Sequence, residues 1–88
     1  RIAPVANNVT FAQAQAVIAR RCQPCHSATP TQAGFTQAPN GVMFDTPDEI
    51  TGRAQQIYQQ AVVTRNMPLG NLTGITQDER DILAHQSF

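Results

Sequence analysis

The stretch Cys22-Gln23-Pro24-Cys25-His26 decides how the rest of this chain folds. Its pattern is C-x-x-C-H, the sequence at which a c-type haem is attached. Two thiols three residues apart lie one helical turn apart, so both can form thioether bonds along one edge of a porphyrin. His26 then lies under the ring, where an imidazole nitrogen can bind iron as the proximal axial ligand. The motif therefore predicts one covalent haem c, held by Cys22, Cys25 and His26.

Three other interpretations of the cysteine pair stay open on the sequence alone. A redox-active dithiol is expected in a βαβ context, and no strand-rich pattern occurs in this chain. A zinc site needs four ligands, but the chain has two cysteines and, besides His26, only His85. A plain disulfide is the third possibility. The histidine that completes the motif, together with a later methionine, favours the haem.

The chain is short enough to need support from a bound group. Its 88 residues predict a single domain, with four Phe, one Tyr and no Trp to build a core. A chain of this length buries a small fraction of its surface and often depends on a disulfide, a metal or a cofactor. A covalent haem would provide a large apolar disc at the centre of the core.

The charge balance limits the classes of partner. Six Arg and no Lys are matched by six acidic residues, which argues against nucleic acid and against a basic membrane-binding patch. No apolar run is long enough to cross a bilayer, so we expect a membrane link only through a fused domain missing from this chain.

The expected compartment follows from the haem motif. Haem is attached to C-x-x-C-H outside the bacterial cytoplasm, so we expect a periplasmic location, with the domain tethered to the inner membrane through a preceding domain. The chain begins at Arg1, without an initiator Met or a signal peptide, and we interpret it as a processed or excised piece.

The first helix is predicted to deliver the motif to the ring. Residues 1–8 predict an extended lead-in or the end of a linker, and residues 9–88 the folded domain. Thr10 and Gln13 form a capping box that starts the helix. Apolar residues then recur at helical spacing and end in the first haem cysteine. They are Phe11, Ala14, Ile18 and Cys22.

A loop with a Pro-Asn-Gly turn is predicted at residues 27–41. A proximal histidine usually donates its second ring N–H to an acceptor such as a backbone carbonyl, and we expect that of Pro39 rather than that of Pro30. Phe35 is a candidate for covering a haem edge, although a single Phe is more often an ordinary core residue. The apolar run 42–44 is expected to pack beneath the ring edge.

Two further capping boxes predict the remaining helices. Thr46 and Glu49 start a helix that should run to about Thr64, with Pro47 in its first position. Thr76 and Glu79 start the last helix, which we expect to pack near the first one. The apolar residues predicted for these helices are Ile50, Ala54, Ile57, Ala61, Val62, Ile82 and Leu83.

Three residues are candidates for the sixth iron ligand. Met67 is favoured because Pro68 cannot continue a helix and places the methionine on a corner that can return across the ring. Met43 lies between two apolar residues and is typical of core filler. His85 lies on the last helix, where a solvated histidine is the simpler interpretation.

Three polar side chains are candidates for binding the haem propionates. They are Arg53, Tyr58 and Arg65. For each of them, an ordinary solvated surface position is the competing interpretation.

Together these features resemble a small class I cytochrome c over almost the whole chain. The resemblance implies an all-α fold of about three main helices wrapped around one covalent haem. A narrower set of residues is similar to the C-terminal cytochrome c domain of membrane-bound bacterial urate oxidases. That set comprises Arg21-Cys22, Cys25-His26-Ser27, Pro30-Thr31, the run from Met67 to Thr73, Thr76 and Glu79-Arg80.

The resemblance implies a function in electron transfer. It assigns Cys22 and Cys25 to the thioether bonds, His26 to the proximal ligand and Met67 to the distal one. No catalysis is expected from this domain alone. It would accept electrons from a membrane-bound oxidase domain and pass them to a downstream cytochrome or respiratory oxidase. The alternatives are a free-standing periplasmic cytochrome c and a gas sensor in which a small ligand displaces Met67.

Overall fold

The structure is a computed structural model that describes residues 10–85, and this part of the chain is helical without any strand. The all-α prediction is confirmed for these residues. The lead-in expected at residues 1–8 lies outside them, as do the ends of the predicted domain. The helices are α1 (Phe11–Arg21), α2 (Pro47–Gly52), α3 (Ala54–Ile57) and α4 (Gln77–His85), with a π-helical segment at Tyr58–Val63 and short 3-10 turns at Pro39–Gly41 and Leu69–Asn71.

Helix α1 begins at the predicted capping box. Thr10 Oγ1 accepts the Gln13 N–H at 3.2 Å, and Gln13 Oε1 accepts the Thr10 N–H at 2.8 Å. The predicted stripe is confirmed at Ala14 and Ile18, which are fully buried, and Val17 beside them is buried as well. The apolar face is therefore wider than the predicted stripe, and it continues into Cys22, which packs against the core.

The middle helix is interrupted, although its start and extent match the prediction. Glu49 and Thr46 form the expected capping box, with bonds of 3.0 and 3.2 Å. Arg53 then leaves helical geometry, with φ −121° and ψ 23°, and separates α2 from α3. The preceding Gly52 explains the position of the break, because glycine in a helix is less favourable than alanine by about 0.5–1 kcal/mol.

The core lies where α4 packs against α1 and against the π-helical segment. Ile50, Ile57, Ala61 and Leu83 were predicted as core residues and are buried, whereas Ile82 is partly buried. Phe44 and Ile75, from the loops, complete this small core. Between residues 10 and 85, none of the helices has the length and apolar character needed to cross a membrane.

One buried carboxylate joins the C-terminal end of α1 to the first turn of α4. Glu79 in the first turn of α4 accepts from Arg21 Nε at 2.9 Å and from Arg20 Nη2 at 3.0 Å. It also completes the third predicted capping box with Thr76. Burial opposes its charge, but hydrogen bonds from the two arginines and the Thr76 N–H lower the pKa of Glu79 from 4.5 to about 2. The predicted packing of the last helix near the first is confirmed by this contact.

Candidate cofactor site

The predicted haem ligands meet in one cavity. A cavity of about 340 Å³ is lined by Cys22, Cys25, His26 and Met67, which come from two distant parts of the chain. Most of its wall is apolar, with Phe35, Ile57, Ala61, Leu69 and Leu72 among the lining residues. Pockets for cofactors are typically apolar, with a few placed polar groups, and measure about 300–1,000 Å³. The cavity fits that description.

The cysteine motif forms a helical turn directly after α1. The Cys22 N–H bonds to the Ile18 carbonyl at 2.8 Å, and the His26 N–H bonds to the Cys22 carbonyl at 2.9 Å. Two N–H groups from the next loop, at Thr31 and Gln32, bond to the Pro24 carbonyl at 2.9 and 2.8 Å. These bonds hold both cysteines and the histidine at the cavity wall.

The His26 ring is oriented by a backbone carbonyl, as expected, but the carbonyl is that of Val42 and not that of Pro39. His26 Nδ1 lies 2.8 Å from Val42 O. Because a carbonyl only accepts, Nδ1 carries a proton, and in the neutral form of the ring Nε2 then has the lone pair that a metal can bind. The Phe44 N–H bonds to the His26 carbonyl at 2.9 Å, so residues 42–44 run along the motif and bring Val42 to the ring. Pro39 lines the cavity without taking that role.

A second contact fixes the plane of the His26 ring. The ring of Phe44, which is buried, lies with its centroid 5.4 Å from that of His26 at an angle of 60°. Gln23 Nε2 donates to the Phe44 carbonyl at 2.6 Å and ties this phenylalanine back to the motif. The sequence predicts that residues 42–44 lie beneath the edge of the haem ring. The contact of Phe44 with the imidazole of His26 is seen only in the structure.

Of the three candidate sixth ligands, Met67 lines the cavity. Its N–H bonds to the Gln60 carbonyl at 3.0 Å, and its own carbonyl accepts from Arg80 Nη1 at 3.0 Å. Met43 lines a separate surface cleft beside Asp48 and Arg53. His85 is exposed, and its Nδ1 lies 2.9 Å from the Asp81 carbonyl.

The three propionate candidates do not line the cavity. Arg53 donates to Gln56 at 2.8 Å and lines the cleft that contains Met43. Tyr58 and Arg65 are exposed. Tyr58 belongs to the π-helical segment, which presents Gln60 and Ala61 to the cavity instead. Arg53 lies at the break between α2 and α3, and Arg65 lies beyond the π-helical segment with a φ of 61°. Besides the residues of the cysteine motif, the polar residues on its wall are Arg21, Asn40, Gln56, Gln60 and Thr73.

The two thiols sit in surroundings that favour the protonated form. Burial, reinforced by the neighbouring Cys25, raises the pKa of Cys22 to about 12. Burial also raises the pKa of Cys25. A redox-active dithiol needs the opposite, a lowered pKa that supplies thiolate at neutral pH. In the part of the chain that the structure describes, neither cysteine forms a disulfide.

Comparison with known proteins found no matching family model, curated protein or solved structure. Within residues 10–85, no group of three or more His, Cys, Asp and Glu side chains is placed to hold a metal ion.

Proposed function

We propose that this domain binds one haem c covalently through Cys22 and Cys25 and transfers single electrons, with His26 and Met67 as axial ligands. One observation carries the proposal: the complete attachment motif and a distant methionine line the same apolar cavity. His and Met together are the axial ligand pair of cytochromes c. A methionine that served only as core filler would not need to share a wall with the motif.

The residues at the cavity have separate tasks in this proposal. When bound, the haem iron supplies the one-electron chemistry. His26 presents Nε2, because its Nδ1–H is directed to the Val42 carbonyl at 2.8 Å. Met67 offers a soft, neutral sulfur, which favours reduced iron and raises the potential. The apolar wall, which includes the buried residues Ile57 and Ala61, would keep water from the ring.

The other interpretations of the cysteines have weaker support. A zinc site would need four ligands, and residues 10–85 offer no cluster of three from His, Cys, Asp and Glu. A dithiol enzyme would need a thiolate, whereas burial raises the pKa of both thiols. The haem proposal requires neither a cluster of three such ligands nor a redox-active thiolate.

The mass of the purified protein tests the proposal. Produced with haem attachment machinery, the domain should weigh more than its sequence by one haem, and acid-acetone should not extract the colour. Cys22→Ala and Cys25→Ala should each weaken attachment. A colourless product with two unmodified thiols or bound zinc would contradict the proposal.

We extend the proposal to the setting of the domain on the basis of the sequence resemblance. The domain would accept electrons from a membrane-bound, urate oxidase-like domain, in the periplasm, and pass them to a respiratory oxidase. In membranes that contain the full-length protein, urate should then reduce the haem. Reduction by dithionite but not by urate would leave a free-standing cytochrome c as the better description.

A further inference from the structure

Arg80 on α4 makes two contacts that the proposed haem chemistry does not explain by itself. Its Nη1 donates to the Met67 carbonyl at 3.0 Å and also to the Ala61 carbonyl. Ala61 is buried at the cavity wall, within the π-helical segment. One guanidinium nitrogen therefore joins the helical wall of the cavity to the backbone of the candidate ligand.

The placement of Arg80 is electrostatically unfavourable without these contacts. The guanidinium is partly buried, and Arg65 places a like charge nearby. Charge-assisted hydrogen bonds to the two carbonyls offset that cost. The neighbouring residue, Glu79, binds the C-terminal end of α1, which leads directly into the cysteine motif. Arg80 is therefore held by a helix that is itself fixed to the attachment site.

We infer that Arg80 is a positioning residue that holds Met67 at the iron, an inference that rests on the proposed function. The backbone of Met67 is also bonded to the π-helical segment through its N–H, which donates to the Gln60 carbonyl at 3.0 Å. Losing the Arg80 contacts removes the tie on the carbonyl side. The methionine should then leave the iron more often, and added ligands should find the site open more often.

The experiment compares Arg80→Gln with Arg20→Gln in the haem-loaded protein. Arg20 also binds α4, through the neighbouring Glu79, but it is not among the residues that line the cavity. Imidazole binding to the oxidised protein should be at least about tenfold faster in Arg80→Gln, corresponding to about 1.4 kcal/mol. Arg20→Gln should bind imidazole at the wild-type rate. Equal rates in the two variants would overturn the inference.

A second readout does not depend on the iron. Hydrogen exchange at the Met67 amide should accelerate in Arg80→Gln, whereas amides in α1 should exchange as in the wild type. Arg80→Lys keeps the charge but lacks the planar fork, so its imidazole rate should lie between those of wild type and Arg80→Gln. If Arg80→Gln does not fold, the inference is tested with Arg80→Lys alone. Imidazole binding at the wild-type rate in Arg80→Lys would then count against it.

The design separates this inference from the proposed function. A wild-type protein without covalent haem, or without a sulfur-to-iron charge-transfer band, would contradict the proposed function or its assignment of Met67. A wild-type protein with that band, together with Arg80 variants that match it in both readouts, would contradict only the positioning role.

Discussion

At the scale of single residues, the candidate site depends on which backbone carbonyl reaches His26. The sequence predicts an acceptor in the loop after the motif, since a ligating histidine needs one. It does not identify Val42, because the path of the loop is set by contacts between distant residues. Phe44 packs on the His26 ring, and Gln23 binds the Phe44 carbonyl. Neither contact leaves a periodic signal in the sequence.

The two methionines should behave in opposite ways. On the proposed ligation the oxidised protein has a weak far-red sulfur-to-iron band, and Met67→Ala should abolish it and lower the potential, because the soft ligand is lost. Met43→Ala should keep the band, because Met43 lies in a separate cleft. Its cost in stability should fall below the ~2–5 kcal/mol of a fully buried methionine, since it is half-buried. Loss of the band in Met43→Ala alone would reverse the assignment.

A substitution at Gly41 should move the neighbouring Val42 carbonyl, which accepts the hydrogen bond from His26. It has a φ of 71° in the turn that leads to Val42, so Gly41→Ala should cost about 1–2 kcal/mol. The shift of the Val42 carbonyl should also change the His26 Nδ1–H resonance in NMR spectra.

Gly34→Ala is the matched control for that experiment. Gly34 has a φ of 90°, and a Cβ at either glycine would meet no atom within 4 Å. The control should therefore lose similar stability while leaving the His26 resonance in place. An unchanged resonance in Gly41→Ala would show that the turn does not position the carbonyl.

At the scale of helices, the contact of Glu79 with α1 makes stability depend on acid. The folded pKa of Glu79 is about 2 and its ordinary value is 4.5, so its contribution is present above pH 4.5 and is lost as the pH falls towards 2. Glu79→Gln should cost about 1–3 kcal/mol at neutral pH and flatten this dependence, as measured by denaturant unfolding.

Glu49→Gln is the control for Glu79→Gln. Both glutamates close a capping box, but Glu49 accepts only backbone N–H groups, those of Asp45 and Thr46, at 2.9 and 3.0 Å. Glutamine can close the box as well, so this variant should change stability little. Equal losses in the two variants would mean that the arginines contribute nothing beyond the cap.

The break between α2 and α3 predicts a substitution that should stabilise the protein. A Cβ added at Gly52 would meet no atom within 4 Å, and the φ of this glycine is not in the left-handed region. Gly52→Ala should therefore raise the free energy of unfolding by about 0.5–1 kcal/mol. Denaturant unfolding of the haem-loaded protein measures this, and a destabilised variant would show that the break itself is required.

The features of the helices that could be predicted from the sequence depend on residues close together in the chain. All three capping boxes are correct because they involve residues three positions apart, and the buried positions of α1 follow from helical periodicity. The break at Arg53 was missed, because only Gly52 marks it. The contact from Arg80 to Met67 was missed as well, because it depends on how α4 packs and has no local pattern.

At the scale of the whole molecule, the cavity limits what the polypeptide can do without a bound group. The core is a small cluster of mostly aliphatic side chains beside a space of about 340 Å³. Ordering the backbone costs about 1–2 kcal/mol per residue, which so small a core cannot offset. The protein without haem should therefore be largely unfolded. Circular dichroism with native helix content and a sharp melt would contradict this.

The contact between the end of α1 and the start of α4 also has a mechanical consequence. Arg20 and Arg21 at the end of α1 bind Glu79 at the start of α4. Apart from Arg21, the residues that line the cavity lie in the chain between these two helix ends. Tension applied from both sides of the domain would pass along α1, across this contact and into α4. Most of that load would bypass the segment between them, which contains His26 and Met67, until the contact ruptured.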